Sequence, residues 1–249
     1  MKLLGIDTNA KTKKGQKKGF RTAITYLAPS NASGVMNTCP AASKGCRAAC
    51  LFTSGRGRMA PIMEARKNKT KFLFDDQEGF LNQLAKELAS HIKSSARKGL
   101  TPTARLNGTS DIDWENYIYP ETGLNVFQTF PDLQFYDYTK RIGRMANFLR
   151  GSQPENYHLT FSYSENTSED TAISILGKGG NVAVVYKDEL PSFDFGGWEV
   201  INGDEDDLRF LDEQGVIVGL KYKQTKANEK EWNGFVRDAE TKSAVLEIA

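Results

Sequence analysis

One recurring unit limits what this chain can fold into: a short apolar run, a polar cluster, then a stretch long enough for a helix. Strand-length runs lie at Phe20–Leu27, Thr103–Leu106, Leu133–Tyr136, His158–Phe161, Asn181–Tyr186, Trp198–Ile201 and Val216–Leu220. Helical spacing covers 61–74 and 78–97, the second with an apolar stripe of Phe80, Leu81, Leu84, Leu88 and Ile92. Gly99 and Pro102 stop that helix. Residues 141–150 and 167–178 are further crossover segments. Strands alternating with helices predict a mainly parallel sheet with helices outside. Seven strands fall short of the eight that close a barrel. The expected fold is therefore α/β, an incomplete or irregular (β/α) barrel formed as a single domain by residues 20–249. A doubly wound open sheet is the alternative. Residues 1–19, lysine-rich and glycine-punctuated, predict a basic mobile arm or loop.

Apolar residues make up 39% of the 249 and charged residues 26%, which excludes wholesale disorder. No apolar run approaches the roughly 18–20 residues that cross a bilayer. The apolar stretch after Met1 is too short for a signal peptide. These features predict a cytoplasmic protein with no membrane partner. The charge is lopsided: residues 1–100 hold 19 Lys and Arg against 6 Asp and Glu, and the remainder hold 14 against 25. A basic section of this kind suits a nucleotide or nucleic acid, or it complements the acidic section within the monomer.

All three cysteines fall in Cys39-Pro-Ala-Ala-Ser-Lys-Gly-Cys46-Arg-Ala-Ala-Cys50, in the loop after the first predicted strand. Cys46 and Cys50 share a helix face by their spacing, and Pro40 and Gly45 let the loop fold Cys39 back towards them. Converging thiolates call for a cation, so the cluster predicts a metal site. Three thiolates suit a 4Fe-4S iron–sulfur cluster with one open iron. Zinc, the alternative, ordinarily takes a fourth ligand, and His91 and His158 lie far along the chain. Arg47, Arg56 and Arg58 flank the cysteines and would hold thiolates deprotonated or grip an anionic substrate.

A barrel would gather the polar residues that follow each strand onto one face. These are Arg105, Asn107 and Asp111, then Asp137, Tyr138 and Lys140, then Ser162 and Glu165, and finally Asp204 and Lys221. Asp111 and Asp137 would divide acid and base roles, with Tyr138 and Lys140 beside them. The others would bind substrate. The run Asp204-Glu205-Asp206-Asp207 predicts a solvated helix start.

The cysteine run, Tyr136-Asp-Tyr-Thr-Lys140, Val200-Ile-Asn-Gly-Asp204 and Gly215-Val-Ile-Val-Gly-Leu-Lys221 together resemble the phage gene-product-88-like family. The resemblance spans most of residues 20–235. It implies a bacteriophage source and the host cytoplasm, with no assigned activity. The layout also resembles radical SAM proteins, whose three-cysteine loop follows the first strand of a partial barrel. That likeness implies an iron–sulfur enzyme binding S-adenosylmethionine. The cysteine spacing here is six and three residues, where radical SAM proteins usually have three and two. Three functions follow as expectations. The first is an iron–sulfur enzyme modifying a nucleotide or nucleic acid. The second is a zinc-stabilised, transglycosylase-like enzyme using Asp111 and Asp137. The third is a non-enzymatic factor binding nucleic acid or a host protein.

Overall fold

A computed structural model describes residues 1–223, 229–232 and 234–239. The chain opens with β1 (Leu4–Ile6), α1 (Ala10–Lys17) and β2 (Phe20–Thr25), followed by the short α2 (Lys44–Ala48). Next come α3 (Ala60–Asp75), α4 (Gln77–Ala96), β3 (Thr101–Arg105), α5 (Val126–Thr129), β4 (Gln134–Thr139) and α6 (Ile142–Leu149). The second half holds β5 (Tyr157–Ser162), α7 (Glu169–Leu176), β6 (Val182–Tyr186), β7 (Phe193–Asp194), β8 (Trp198–Asn202) and β9 (Ile217–Lys221). It ends with α8 (Glu229–Trp232) and β10 (Val236–Arg237). Each of the seven expected strands is present, within a few residues of its expected ends.

The fold is mixed α/β around a ten-stranded, mostly parallel sheet ordered β1-β2-β3-β4-β5-β6-β9-β8-β7, with β10 pairing β6. Only the edge strands β1 and β7 run antiparallel to their neighbours. The path begins at β1 and ends at β7. Chain order is broken once, where β9 enters between β6 and β8. Parallel pairing through β2, β3, β4, β5 and β6 brings the carboxyl ends of these strands to one edge. Loops at that edge lie beside one another, the arrangement in which α/β sheets place ligand sites. At the same edge β5 stops pairing with β6 after Ser162, and β10 takes over at Val185 and Tyr186.

The predicted stripe of α4 is the largest helical contribution to the core. Phe80, Leu81, Leu84 and Leu88 are all fully buried, each contributing about 1.5–3 kcal/mol by leaving water. His91 extends the same stripe. Its Nε2–H lies 3.1 Å from the carbonyl oxygens of Arg21 and Thr103, so this histidine ties a helix to two strands. Ser95 Oγ lies 3.4 Å from Nδ1, completing a neutral ring that burial favours.

Two expectations are corrected. Residues 1–19 are an edge strand and a docked helix rather than a mobile arm. Asn9 caps α1 by accepting from Thr12 N–H at 2.8 Å. The Lys11 ammonium pairs with Asp204 at 2.8 Å and Lys18 with Asp206 at 2.6 Å, while Gly15 faces Leu208. The acidic run after β8 is also not a solvated helix start, because Asp206 and Asp207 are only 5% exposed. Residues 204–212 lie over the sheet, where Phe210 packs 5.4 Å from both Phe20 and Tyr136. Asp207 accepts from Arg105 at 3.1 Å, and Arg209, 2% exposed, pairs with Asp206 and Asp212. Sequence spacing gives no sign of this, since the partners lie up to about 190 residues away.

Gly203 starts that segment in a space with no room for a side chain. A Cβ there would sit 2.4 Å from Val218 Cγ1 and 2.9 Å from Arg209 Nη1. Gly203→Ala should lower stability by about 1–3 kcal/mol through overpacking, read as a lower urea midpoint at unchanged slope. An unchanged midpoint would show that Arg209 is not held in this position.

Candidate functional site

The site is built at the carboxyl edge of β2 to β6, and its first component is the cysteine loop. Ser43 caps α2 by accepting from Cys46 N–H at 3.1 Å. Glu165, from the loop after β5, receives Ser43 Oγ–H at 2.6 Å and Gly45 N–H at 2.7 Å. Thr38 holds the other arm of the loop through Ala28 O at 2.6 Å, and its own carbonyl accepts from Asp111 N–H at 2.7 Å. Cys39 Sγ–H points to Thr109 O at 3.6 Å. The three predicted residues Cys39, Glu165 and Asp111 thus belong to one hydrogen-bonded neighbourhood.

Cys39, Cys46 and Cys50 are free, half-buried thiols. Burial pushes all three above the ordinary thiol value, Cys50 to about 11, and each of the others adds to the Cys50 shift. Backbone amides act the other way. The Ser30 N–H favours the Cys39 thiolate and the Phe52 N–H favours that of Cys50. Ser30 has φ of 50°, a left-handed conformation uncommon outside glycine and found at functional loops. Amide donors aimed at sulfur are the outer shell that a thiolate-bound metal uses. The three thiols do not converge on one point. Among the described residues no three His, Cys, Asp or Glu side chains stand where they could hold a metal ion. Neither His91 in its core position nor His158, packed on Phe148, serves as the fourth zinc ligand.

Lys140 is the cation of the site. Its Nζ donates to Ser162 Oγ at 2.8 Å and to the carbonyls of Ser162 and Tyr163 at 3.2 and 3.1 Å, and it lies 4.7 Å from the Phe235 ring. Burial lowers its pKa, while Cys46, Asp111, Glu165 and Cys39 support its charge. Ser162 and Lys140 were both expected here.

Asp111 and Asp137 meet in one network, where each is committed to holding the fold. Asp137, 1% exposed, accepts from Asn107 N at 2.8 Å, Asn107 Nδ2 at 3.3 Å and the Tyr157 hydroxyl at 3.2 Å. Asn107 Oδ1 in turn receives Ser110 Oγ–H, Ile112 N–H and Trp114 Nε1–H, which shapes the loop that presents Asp111. One Asp111 oxygen accepts from Lys140 N at 2.9 Å, and the other meets Arg144 Nη1 at 3.0 Å. Arg144, 4% exposed, also holds Glu115 and Tyr157. A cavity of about 250 Å³ opens beside Asp111, between Asn37, Pro40, Asp113 and Arg141.

Other expected residues lie elsewhere. Arg105 stacks over Tyr138 at 4.7 Å and pairs with Asp207, on the sheet face covered by residues 204–212. Asp204 binds Lys11, Lys223 and the Lys221 N–H, which outweigh burial and bring its carboxyl to about 2. Asp204 and Lys221 therefore belong to the docking of α1. Arg47, Arg56 and Arg58 are exposed on the cysteine loop and the turn after it. Sequence reasoning missed Arg66, which sits 5.0 Å from the Tyr26 ring and 5.5 Å from the Phe52 ring, with Nε and Nη1 buried and unpartnered. It also missed Arg144 and Phe235, whose roles appear only when distant segments meet.

These features define an α/β protein with a parallel sheet and a three-cysteine loop at its carboxyl edge. The chain belongs to the Gene product 88 family, whose sequence pattern matches residues 2–239. No curated protein and no solved structure matches. Among the described residues no helix is long and apolar enough to cross a membrane.

Burial raises the Asp137 carboxyl from 3.8 to about 7, against the opposing pull of Arg105, the Asn107 N–H and the Tyr157 hydroxyl. Between these values the folded chain keeps a proton that the unfolded chain has released. The stability contributed by Asp137 therefore falls as pH rises from about 4 to about 7. Asp137→Asn cannot ionise, so wild-type stability relative to this variant should decline across that window in urea titrations. A pH-independent difference would refute the raised carboxyl.

Proposed function

We propose that this protein is a three-cysteine metalloenzyme of radical SAM-like, partial-barrel layout that acts on a nucleotide or nucleic acid. The reading rests on one coincidence. The three cysteines of the chain come to the strand edge that also gathers Lys140, Ser162, Glu165 and Asp111. Buried thiols without a cation are inert and costly to ionise. A metal would draw them onto one point as thiolates, with Ser30 N–H and Phe52 N–H supporting Cys39 and Cys50. An iron–sulfur cluster held there supplies one-electron chemistry and an open iron position for a ligand such as S-adenosylmethionine.

The protein's own groups then have distinct tasks. Glu165 fixes the start of α2 and with it Cys46. Lys140 places a positive charge at the edge where an anionic ligand would lie. Arg47, Arg56 and Arg58 face outward to take phosphates. The zinc-stabilised, transglycosylase-like reading is weaker, because Asp111 and Asp137 spend their oxygens on Asn107, Lys140, Arg144 and Tyr157.

Anaerobic reconstitution followed by iron, sulfide and zinc analysis tests the reading. Wild type should hold about one cluster per chain, with broad visible absorbance. Cys39→Ala, Cys46→Ala and Cys50→Ala should each lose most of it while keeping the far-ultraviolet dichroism of the wild type. Zinc in place of iron would make the site structural. Retention of neither metal, or equal retention in all three variants, would overturn the proposal.

A further inference from the structure

Between Asp7 and Glu64 the chain has no acidic residue and ten Lys and Arg. Lys13 and Lys17 are exposed on α1, and the other eight fall into two groups. Lys11, Lys18 and Arg21 pair with Asp204, Asp206 and Asp7, and Lys14 donates to the Asp204 carbonyl. Lys11 and Lys18 thus neutralise carboxylates of the acidic second half within the monomer. Lys44, Arg47, Arg56 and Arg58 are different. All four are exposed, and among the described residues none has a carboxylate partner. The nearby carboxylates are engaged, Glu165 by Ser43 and Gly45 and Glu64 by Lys67. Four cations without a carboxylate partner therefore lie on the cysteine loop and the turn after it.

A cavity of about 390 Å³ opens beside Arg47, one of these four cations, and is lined also by Ser30, Asn31, Cys50, Phe52 and Thr53. Phe52 is 6% exposed, and the Arg66 guanidinium lies 5.5 Å from its ring. Leu51 and Met59, 55% and 52% exposed, carry apolar surface among the arginines. A phosphate alone has no use for an aromatic recess and apolar flanks. An unpaired nucleotide uses all of it, phosphates on the arginines and the base against Phe52. A duplex keeps its bases stacked and offers none to a recess.

We infer that residues 44–59 bind single-stranded nucleic acid, with one base entering the cavity beside Cys50. The inference rests on the proposed function and names its ligand. Phosphates on Lys44, Arg47, Arg56 and Arg58 carry the salt-dependent part of the affinity, and the recess supplies the preference for unpaired bases.

Fluorescence anisotropy of the full-length protein with a labelled oligothymidylate, and with a duplex of equal length, tests it. The single strand should bind at least tenfold more tightly than the duplex. Arg56→Ala with Arg58→Ala should weaken it at least tenfold and flatten the salt slope by about 1.4, two phosphates at about 0.7 each. Lys13→Ala with Lys17→Ala, on the exposed side of α1, should change affinity less than twofold. Phe52→Leu should weaken binding severalfold at an unchanged salt slope. Equal affinity for the duplex, equal losses from the two double variants, or no binding at low salt would overturn the inference. Metal content measured on the same samples keeps the two proposals apart. Metal-loaded protein that ignores the oligonucleotide sinks only this one, and metal-free protein that binds it sinks only the other.

Discussion

The buried carboxylate of Asp137 is the fixed point from which the candidate site is built. It lies at 1% exposure between β3 and β5 and holds both the backbone and the side chain of Asn107. Asn107 then uses its remaining capacity on Ser110, Ile112 and Trp114, so the loop after β3 has little freedom. That loop delivers Asp111 to Arg144 and to the Lys140 backbone, and Thr109 O to Cys39. A polar network this deep is favourable only when every member is satisfied. Removing one partner leaves a buried charge uncompensated, which costs several kcal/mol. The interlock gives the sheet edge the stiffness that a positioned site needs.

The electrostatics of the edge are unbalanced in an informative way. Asp111 is satisfied by Arg144 and the Lys140 N–H, Glu165 by Ser43 and Gly45, and the Lys140 ammonium by Ser162 and Tyr163. The thiols do not share in this, and burial keeps them protonated. Arg66 holds a desolvated guanidinium with two unpartnered nitrogens, and its field favours the Cys50 thiolate. Buried donors without acceptors are uncommon in folded proteins and mark places where a further group completes the arrangement. Arg66 is such a donor, and among the three thiols it acts on Cys50.

Seven strands and four long helices were legible because each obeys a local period, and Phe80, Leu84 and Leu88 bury the face that their spacing predicts. Lys140, Ser162, Glu165 and Asp111 were also legible, since a parallel sheet puts the ends of its strands on one edge whatever the helices do. What escaped has no local signal. The segment at Asp206 and Asp207 reads as solvated until Arg105 and Lys18 arrive from other parts of the chain. Residues 8–19 look like a loose arm because α1 has little apolar character of its own, and its order comes from Asp204 and Leu208. The two-residue strands β7 and β10 are too short for any periodicity to register.

The carboxyl-terminal segment shows why the site is a property of nearly the whole chain. Trp232, Phe235 and Val236 form a small apolar cluster with Ala49, apart from the main core. β10 reaches this position because β5 and β6 diverge past Ser162. Two glycines permit the contact. A Cβ on Gly45 would lie 2.6 Å from Phe235 Cβ, and one on Gly234, where φ is +81°, would lie 2.9 Å from Glu165 Cβ. The cysteine helix, the loop after β5 and the carboxyl-terminal strand can therefore touch only with bare backbone at both points. Glu165 grips α2 within that contact, and Phe235 lies under the Lys140 ammonium. Loss of Phe235 and β10 would open the edge where the cysteines lie. A family match running from residue 2 to residue 239 is what such a construction requires.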